Sequence, residues 1–476
     1  MHRRWLSHRR PVEFSVASRR GLTLIEILIA LVMTLIVLGA MITAFQYASA
    51  EITKGRARIE MTNQLRVVLD LLRADLDGLT VDVRPWAKTS APPGYFEYIE
   101  GPLSDRSSQR LTPPVDNVLG DTDDILALTT RAEGKPFRGR YNGGVIESNV
   151  AEVIWWTNVD VVNIGEPSYT DSVRIYRRVL LIRPDLPPVP VADIADVRRF
   201  FLTNDVSMRW DPASNLLIPN ALGDLGRREH RFAHPPLIVN GTLSPNYPHL
   251  MDRQFLRDVQ MTEVNMVAHG LTGPELQYIG QDIVLNNVMA FDLKAFSVNT
   301  AVLNDGGIII QPSDLHYPAS SLQPTDPRIV DYGAYVDLGY AFQVLPPDLL
   351  TLPPPPGPLS RPGFDSSYPD FAGRPTYSWI DACQNAGYPL YEIFVYDTFT
   401  TAYESDGLDQ DGNGIVDQAI DGLDNDGING VDDEGERETA APYPFRMSGL
   451  QVTIRVVEPT SKQVTEMAAE HSFLPK

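Results

Sequence analysis

Cysteine is nearly absent from this chain: Cys383 is the single one in 476 residues. No intrachain disulfide can form, so the fold rests on its own core, and the lone thiol reads as a small buried hydrophobe. Proline is missing from one whole region. Only Pro11 precedes residue 85, and the other 38 prolines lie from Pro85 onward. Because proline breaks helix interiors, residues 12–84 are the stretch open to a very long helix. Positive charge is scarce, with 40 Lys and Arg against 61 Asp and Glu, a formal net charge of −21. So acidic a body repels nucleic acid and anionic lipid, and offers no basic patch to bind nucleic acid directly. Enzyme motifs are lacking too: no Gly-x-Ser-x-Gly elbow, no phosphate-binding glycine loop, no His-Glu-x-x-His, no paired-cysteine metal site. The chain reads as a building block with no catalytic residue, not an enzyme.

Charge is also absent from residues 22–45, with one exception, Glu26. Those 24 residues would make a helix roughly 36 Å long at about 1.5 Å per residue, enough for a hydrocarbon core about 30 Å thick. A carboxylate inside such a span costs about 2.5–3.5 kcal/mol and is seldom there without a partner or a function. Residues 1–21 carry six Arg and one Glu, which keeps the amino terminus cytoplasmic and puts the bulk of the chain outside the inner membrane, in the periplasm. An ordinary anchor has no use for an acid at that depth. A secretory signal cut after Ala48-Ser49-Ala50 would have an apolar run well beyond the usual 7–15 residues or so. A cut after Gly21 would instead make Leu22 the new amino terminus, four residues from Glu26 on the same helix, with an ammonium able to neutralise it in its own chain or a neighbour's.

Arg19-Arg20-Gly21-Leu22-Thr23-Leu24-Ile25-Glu26 and the apolar run behind it resemble the prepilin motif of type IV pilins and type II secretion pseudopilins. The resemblance implies cleavage after Gly21 by a prepilin peptidase, methylation of Leu22, and assembly guided by Glu26 into a type II secretion pseudopilus or type IV pilus among other pilins or pseudopilins. The alternative is a membrane-anchored periplasmic protein that binds partners through calcium and never polymerises.

Beyond the span, Met61, Leu65, Val68, Leu72, Leu76 and Leu79 recur at helical spacing, Arg66/Asp70 and Arg73/Asp77 form i,i+4 pairs on the opposite face, and Gly78 is a plausible terminator. The expected fold is α+β: a leader at 1–21, a transmembrane helix at 22–45, its continuation at 46–79, and a β-rich antiparallel head with long loops. The head divides into 80–345, with an insertion at about 184–283 to which the sequence assigns no role, a proline-rich loop at 346–363, and a C-terminal β region at 364–476. Strands are expected at 125–129, 150–159, 173–182 and 284–296, with a closing hairpin over 450–474. Long helix, strand pair, late strand and closing hairpin resemble J-type minor pseudopilins and W-type minor pilins, although this chain is much longer than a typical member. His230 and His234, at i,i+4, lack further ligands nearby and read as loop histidines.

An acidic repeat occupies residues 404–438. Asp406-Gly407-Leu408-Asp409-Gln410-Asp411-Gly412 recurs fifteen residues later as Asp421-Gly422-Leu423-Asp424-Asn425-Asp426-Gly427. Alternate carboxylates on a glycine-bent loop converge their oxygens, and six to eight or so oxygens suit Ca²⁺. In the first repeat the candidate ligands are Asp409, Asp411, Asn413, the carbonyl of Ile415 and Asp417, with Asp421 closing the site. In the second they are Asp424, Asp426 and Asp432, with Ile428 in place of a ligand. Ile420 stands where an EF-hand has glutamate, so the loop resembles thrombospondin-type-3 or dockerin aspartate loops.

Overall fold

The computed structural model describes residues 23–85, 94–101, 120–158, 173–234, 238–239, 242–243, 249–312, 317, 325–338, 395–398, 400–410, 414–425, 427, 430–432, 436–439, 443, 446–459 and 463–474. The leader with Gly21 and Leu22, Cys383, the proline-rich loop, and Asp411, Asn413 and Asp426 lie outside these. The chain divides into two compact units, Met1–Ile59 and Glu60–Lys476.

Helix α1 runs Leu24–Asp77 without interruption, as the proline-free stretch permits. In the first unit its large apolar side chains are exposed, Leu24 by 84% and Phe45 by 76%, and this segment is long and apolar enough to cross a membrane. The threonine hydroxyls there turn inward: Thr34 donates to the carbonyl of Ala30 (2.7 Å) and Thr43 to that of Gly39 (2.9 Å), so neither needs water.

In the second unit the expected stripe is buried. Met61, Leu65, Val68, Leu72 and Leu76 enter the main core, joined by Leu69, while Leu79 lies past the helix end and packs on the core from its rim. The polar face differs from the i,i+4 expectation. Arg73 reaches back to Asp70 (3.2 Å), and Asp77 faces His471 (3.7 Å). Asp75, which the periodicity does not single out, is only 2% exposed. It accepts hydrogen bonds from Trp155 Nε1 (2.8 Å) and from Arg177 Nε and Nη2 (2.8 and 2.6 Å), a charge-assisted clamp of helix on sheet.

That sheet has ten strands: β1 Phe96–Ile99, β2 Ile125–Arg131, β3 Val150–Thr157, β4 Val173–Leu181, β5 Ile283–Asp305, β6 Ile308–Ile310, β7 Ile329–Val336, β8 Val395–Asp397, β9 Gly449–Val457 and β10 Val464–Ser472. The order is β8-β1-β2-β3-β4-β5-β9-β10, with β6 and β7 also paired to β5, and these pairings are antiparallel. The strands expected from alternation and β-branched content are present. The late one extends to 23 residues, because β5 serves β4 with its first part and β7 with its last. The fold is thus a long N-terminal helix followed by an antiparallel β-rich domain.

The insertion covers the sheet. Helix α2, Ile194–Thr203, carries Phe200 and Phe201 into the main core, where Phe201, Phe232 and Phe255 form an edge-to-face cluster. From the sheet, Glu152 accepts bonds from Ser207 Oγ (2.6 Å) and the Phe232 amide (2.9 Å) of this segment. β1 is closed on its far side by a partner about three hundred positions away: its Phe96 amide donates to Thr398 Oγ1 (2.8 Å).

Candidate functional site

At the start of α1, Glu26 has a partner that the sequence reading did not weigh. Its Oε2 accepts from the Thr23 amide (2.9 Å) and Thr23 hydroxyl (3.0 Å), while the Glu26 amide donates to Thr23 Oγ1 (3.3 Å). This reciprocal pair is a capping box, satisfying donors that a helix start leaves open. The signal was legible as Thr-x-x-Glu.

The acidic repeat is also a repeat of hydrogen bonds. The Gly407 amide donates to both oxygens of Asp417 (3.1 Å each), and fifteen residues on Gly422 donates to Asp432 (2.9 Å). Asp406 accepts from the Leu408 amide (3.1 Å) and Gln410 Nε2 (2.8 Å), as Asp421 does from the Leu423 amide (2.8 Å) and Asn425 Nδ2 (2.9 Å). Asp417 and Asp432 both have left-handed φ, 52° and 54°. The opening turns of the two units, at Asp406–Gln410 and Asp421–Asn425 with their Asp417 and Asp432 acceptors, therefore share one backbone design. At the next acids the units differ: Asp409 accepts from the Gly414 amide five residues on (2.9 Å), and Asp424 from the Gly427 amide three residues on (2.7 Å). Ile415 is described in the same loop.

A different set of acids converges inside the sheet. One ligand oxygen each from Glu100, Asp121 and Asp124 lies within 4.8 Å of the others, and these residues are 0%, 1% and 0% exposed. Burial pushes all three carboxyls well above their ordinary range, and the charges of neighbouring acids add to it: Asp292 and Asp123 at Asp124, Asp124 and Asp337 at Glu100, and Asp124, Asp123 and Glu100 at Asp121. Sequence reasoning passed over them, because an Asp-rich turn is ordinarily solvated.

A second buried polar cluster joins the insertion to β1 and β8. Glu97 and Asp397 are register partners, and like charges directly opposite are unfavourable. The insertion supplies the compensation. Arg231 Nη1 bridges Glu97 (3.1 Å) and Asp397 (2.8 Å), Arg228 pairs with Asp397, and His234 Nε2 meets Glu97 (2.9 Å). Arg231 also lies 4.1 Å over the Tyr95 ring. His234 Nδ1 lies 2.6 Å from the His249 carbonyl, and His230 Nδ1 lies 3.0 Å from that of Asp224, so His234 belongs to this cluster and His230 to the packing within the insertion.

Burial would raise the Glu97 carboxyl, but His234, Arg231 and Arg228 outweigh it and hold it at about 2, against 4.5 ordinarily. A depressed carboxylate contributes stability that is complete above pH 4.5 and fades as pH falls toward 2. Thermal melts across that window should fall more steeply for the natural chain than for Glu97→Gln; parallel profiles would count against the assignment.

No family model, no curated protein and no solved structure matches the chain.

Proposed function

We propose that this chain is a minor subunit of a pilin-like filament, a type II secretion pseudopilus or type IV pilus, held in the inner membrane by α1 until it assembles. The observation that carries the reading is α1 itself. Its first part is apolar, exposed and marked by one carboxylate, and its last turns are sealed into a β-rich domain. In the membrane, lipid covers the apolar part; in a filament, neighbouring helices take its place. The Glu26 carboxylate then meets the ammonium of Leu22, freed by prepilin peptidase, and a buried polar pair of this kind sets register. On this reading the acidic repeat is a calcium loop: Asp409, Asp411, Asn413, Ile415, Asp417 and Asp421 in one half, Asp424, Asp426 and Asp432 in the other, stiffening the segment before the β9–β10 hairpin.

One observation favours a second reading. The capping box gives Glu26 a role inside its own helix, which a non-assembling, calcium-dependent anchor protein would also use. The mature amino terminus separates the two. Mass spectrometry of the chain from its native membrane should find it beginning at a methylated Leu22. A chain that keeps its arginine-rich leader beside a working prepilin peptidase would refute the filament reading.

A further inference from the structure

Residues 120–124 occupy a gap in the sheet. On one flank β5 pairs with β4 as far as Val288 and with β7 from Ala295 onward, and between them another segment takes the open backbone groups. The Gly120 amide donates to the Met289 carbonyl (2.9 Å), the Phe291 amide to the Asp121 carbonyl (2.8 Å), and the Leu293 amide to Asp124 Oδ2 (2.7 Å). Asp124 Oδ1 accepts from the Gly101 amide (3.1 Å), and the Leu338 amide donates to Glu100 Oε2 (3.0 Å), which Tyr98 OH also approaches. Gly101 lacks a Cβ of necessity: one built there would lie 2.0 Å from Asp123 Cγ. The ends of β1 and β7, the start of β2 and the middle of β5 thus bring their acids to one place.

Hydrogen bonds do not account for all of these oxygens. Among the described residues, Glu100 Oε1 and Asp121 Oδ2 are buried with no hydrogen-bond partner. No Lys, Arg or His among the described residues forms an ion pair with Glu100, Asp121 or Asp124. The neighbouring Lys294 is engaged with Asp292, and lies 3.5 Å from Asp337. Three buried carboxylates with an oxygen each within 4.8 Å of the others, and no ion pair among the described residues, are a donor set for a hard metal ion, since oxygen-only carboxylate sites suit Ca²⁺ and Mg²⁺ rather than softer metals.

We propose that Glu100, Asp121 and Asp124 bind one hard divalent cation, Ca²⁺ or Mg²⁺, which sits at the gap beside β5 and joins the end of β1 to the segment leading into β2. The site is separate from the acidic repeat and does not depend on the filament reading. Bound there, the ion would tie the first two strands together and supply a positive charge that no described side chain supplies to these three carboxylates.

The test uses the full chain in detergent, stripped of metal, with the acidic repeat silenced by Asp409→Asn, Asp417→Asn, Asp424→Asn and Asp432→Asn. Equilibrium dialysis against Ca²⁺ and, separately, Mg²⁺ should leave one bound equivalent in at least one arm, with a melting temperature higher by a few degrees at saturation. Adding Glu100→Gln and Asp121→Asn should remove that equivalent while the near-ultraviolet dichroism is retained. Should those changes prevent folding, Tb³⁺ bound to the silenced chain gives the answer, because Tyr98 touches Glu100: tyrosine-sensitised emission should drop several-fold in Tyr98→Phe. No retained equivalent in either arm, an equivalent that survives the Glu100/Asp121 pair of changes, or emission indifferent to Tyr98 would each overturn the proposal.

Discussion

Replacing Arg231 with methionine should destabilise the β-rich domain by about 3–5 kcal/mol, the scale on which removing one partner of a buried ion pair is felt. Both Arg231 and its acids are fully buried, and one guanidinium nitrogen serves Glu97 and Asp397 together. Without it the two carboxylates face each other across the β1/β8 ladder with Arg228 and His234 as remaining support. The backbone loses a fastener too, since Arg231 Nε donates to the Leu225 carbonyl (2.9 Å) and Nη2 to that of Gly226 (3.4 Å). Methionine fills much of the volume, so the loss reports charge and hydrogen bonding more than a cavity. Adding Glu97→Gln to Arg231→Met should recover part of it, because an amide is far less costly to bury than a lone carboxylate. Denaturant unfolding of the three proteins measures this, and a loss below about 1 kcal/mol in Arg231→Met would place the cluster among energetically neutral buried pairs.

The second large effect is expected at Glu26, where two substitutions tell two roles apart. Glutamine keeps an oxygen acceptor for the Thr23 amide and hydroxyl, so the capping box survives; alanine removes it. Neither change touches the β-rich domain. On the proposed filament reading both variants fail alike, because each leaves a neighbour's ammonium unpaired in an apolar setting. A penalty of about 2.5–3.5 kcal/mol corresponds to a fall in incorporation on the order of a hundredfold. If Glu26 acts only within its own helix, glutamine should be nearly silent and alanine mildly harmful, by about 1 kcal/mol. Crosslinking between subunits in native membranes, set beside the melting temperature of each variant, reads both quantities. Wild-type incorporation of Glu26→Gln would sink the pairing with a terminal ammonium.

What could be read without coordinates was whatever local periodicity encodes. The stripe from Met61 to Leu76 and the alternation of Leu450, Val452, Ile454 and Val456 report burial directly, and both appear in the core. The fifteen-residue repeat announced a repeated backbone design, and the turns opening at Asp406 and Asp421 have one. The missed parts are those whose meaning depends on distant chain. β1 and β8 span four and three residues, too short to set a period. Glu97, Glu100, Asp121, Asp124 and Asp397 look like surface acids, because acids seldom go inside unpaired. Their burial follows from the insertion and from the gap in the sheet beside β5, neither of which has a local signature. Asp75 hid in the same way, an acid on a helix whose partners Trp155 and Arg177 come eighty and more residues later.

The bond between Phe96 and Thr398 bears on when the domain can be finished. β1 lies between β2, nearby in sequence, and β8, some three hundred residues further along, so its second edge stays open until most of the polypeptide has been made. Contacts of such high order slow folding, since a very long loop must close before they repay it. A chain made from its amino terminus would therefore wait, half-zipped, for its last quarter, and a stop codon between residues 131 and 395 would leave the outer edge of β1 bare and open to aggregation.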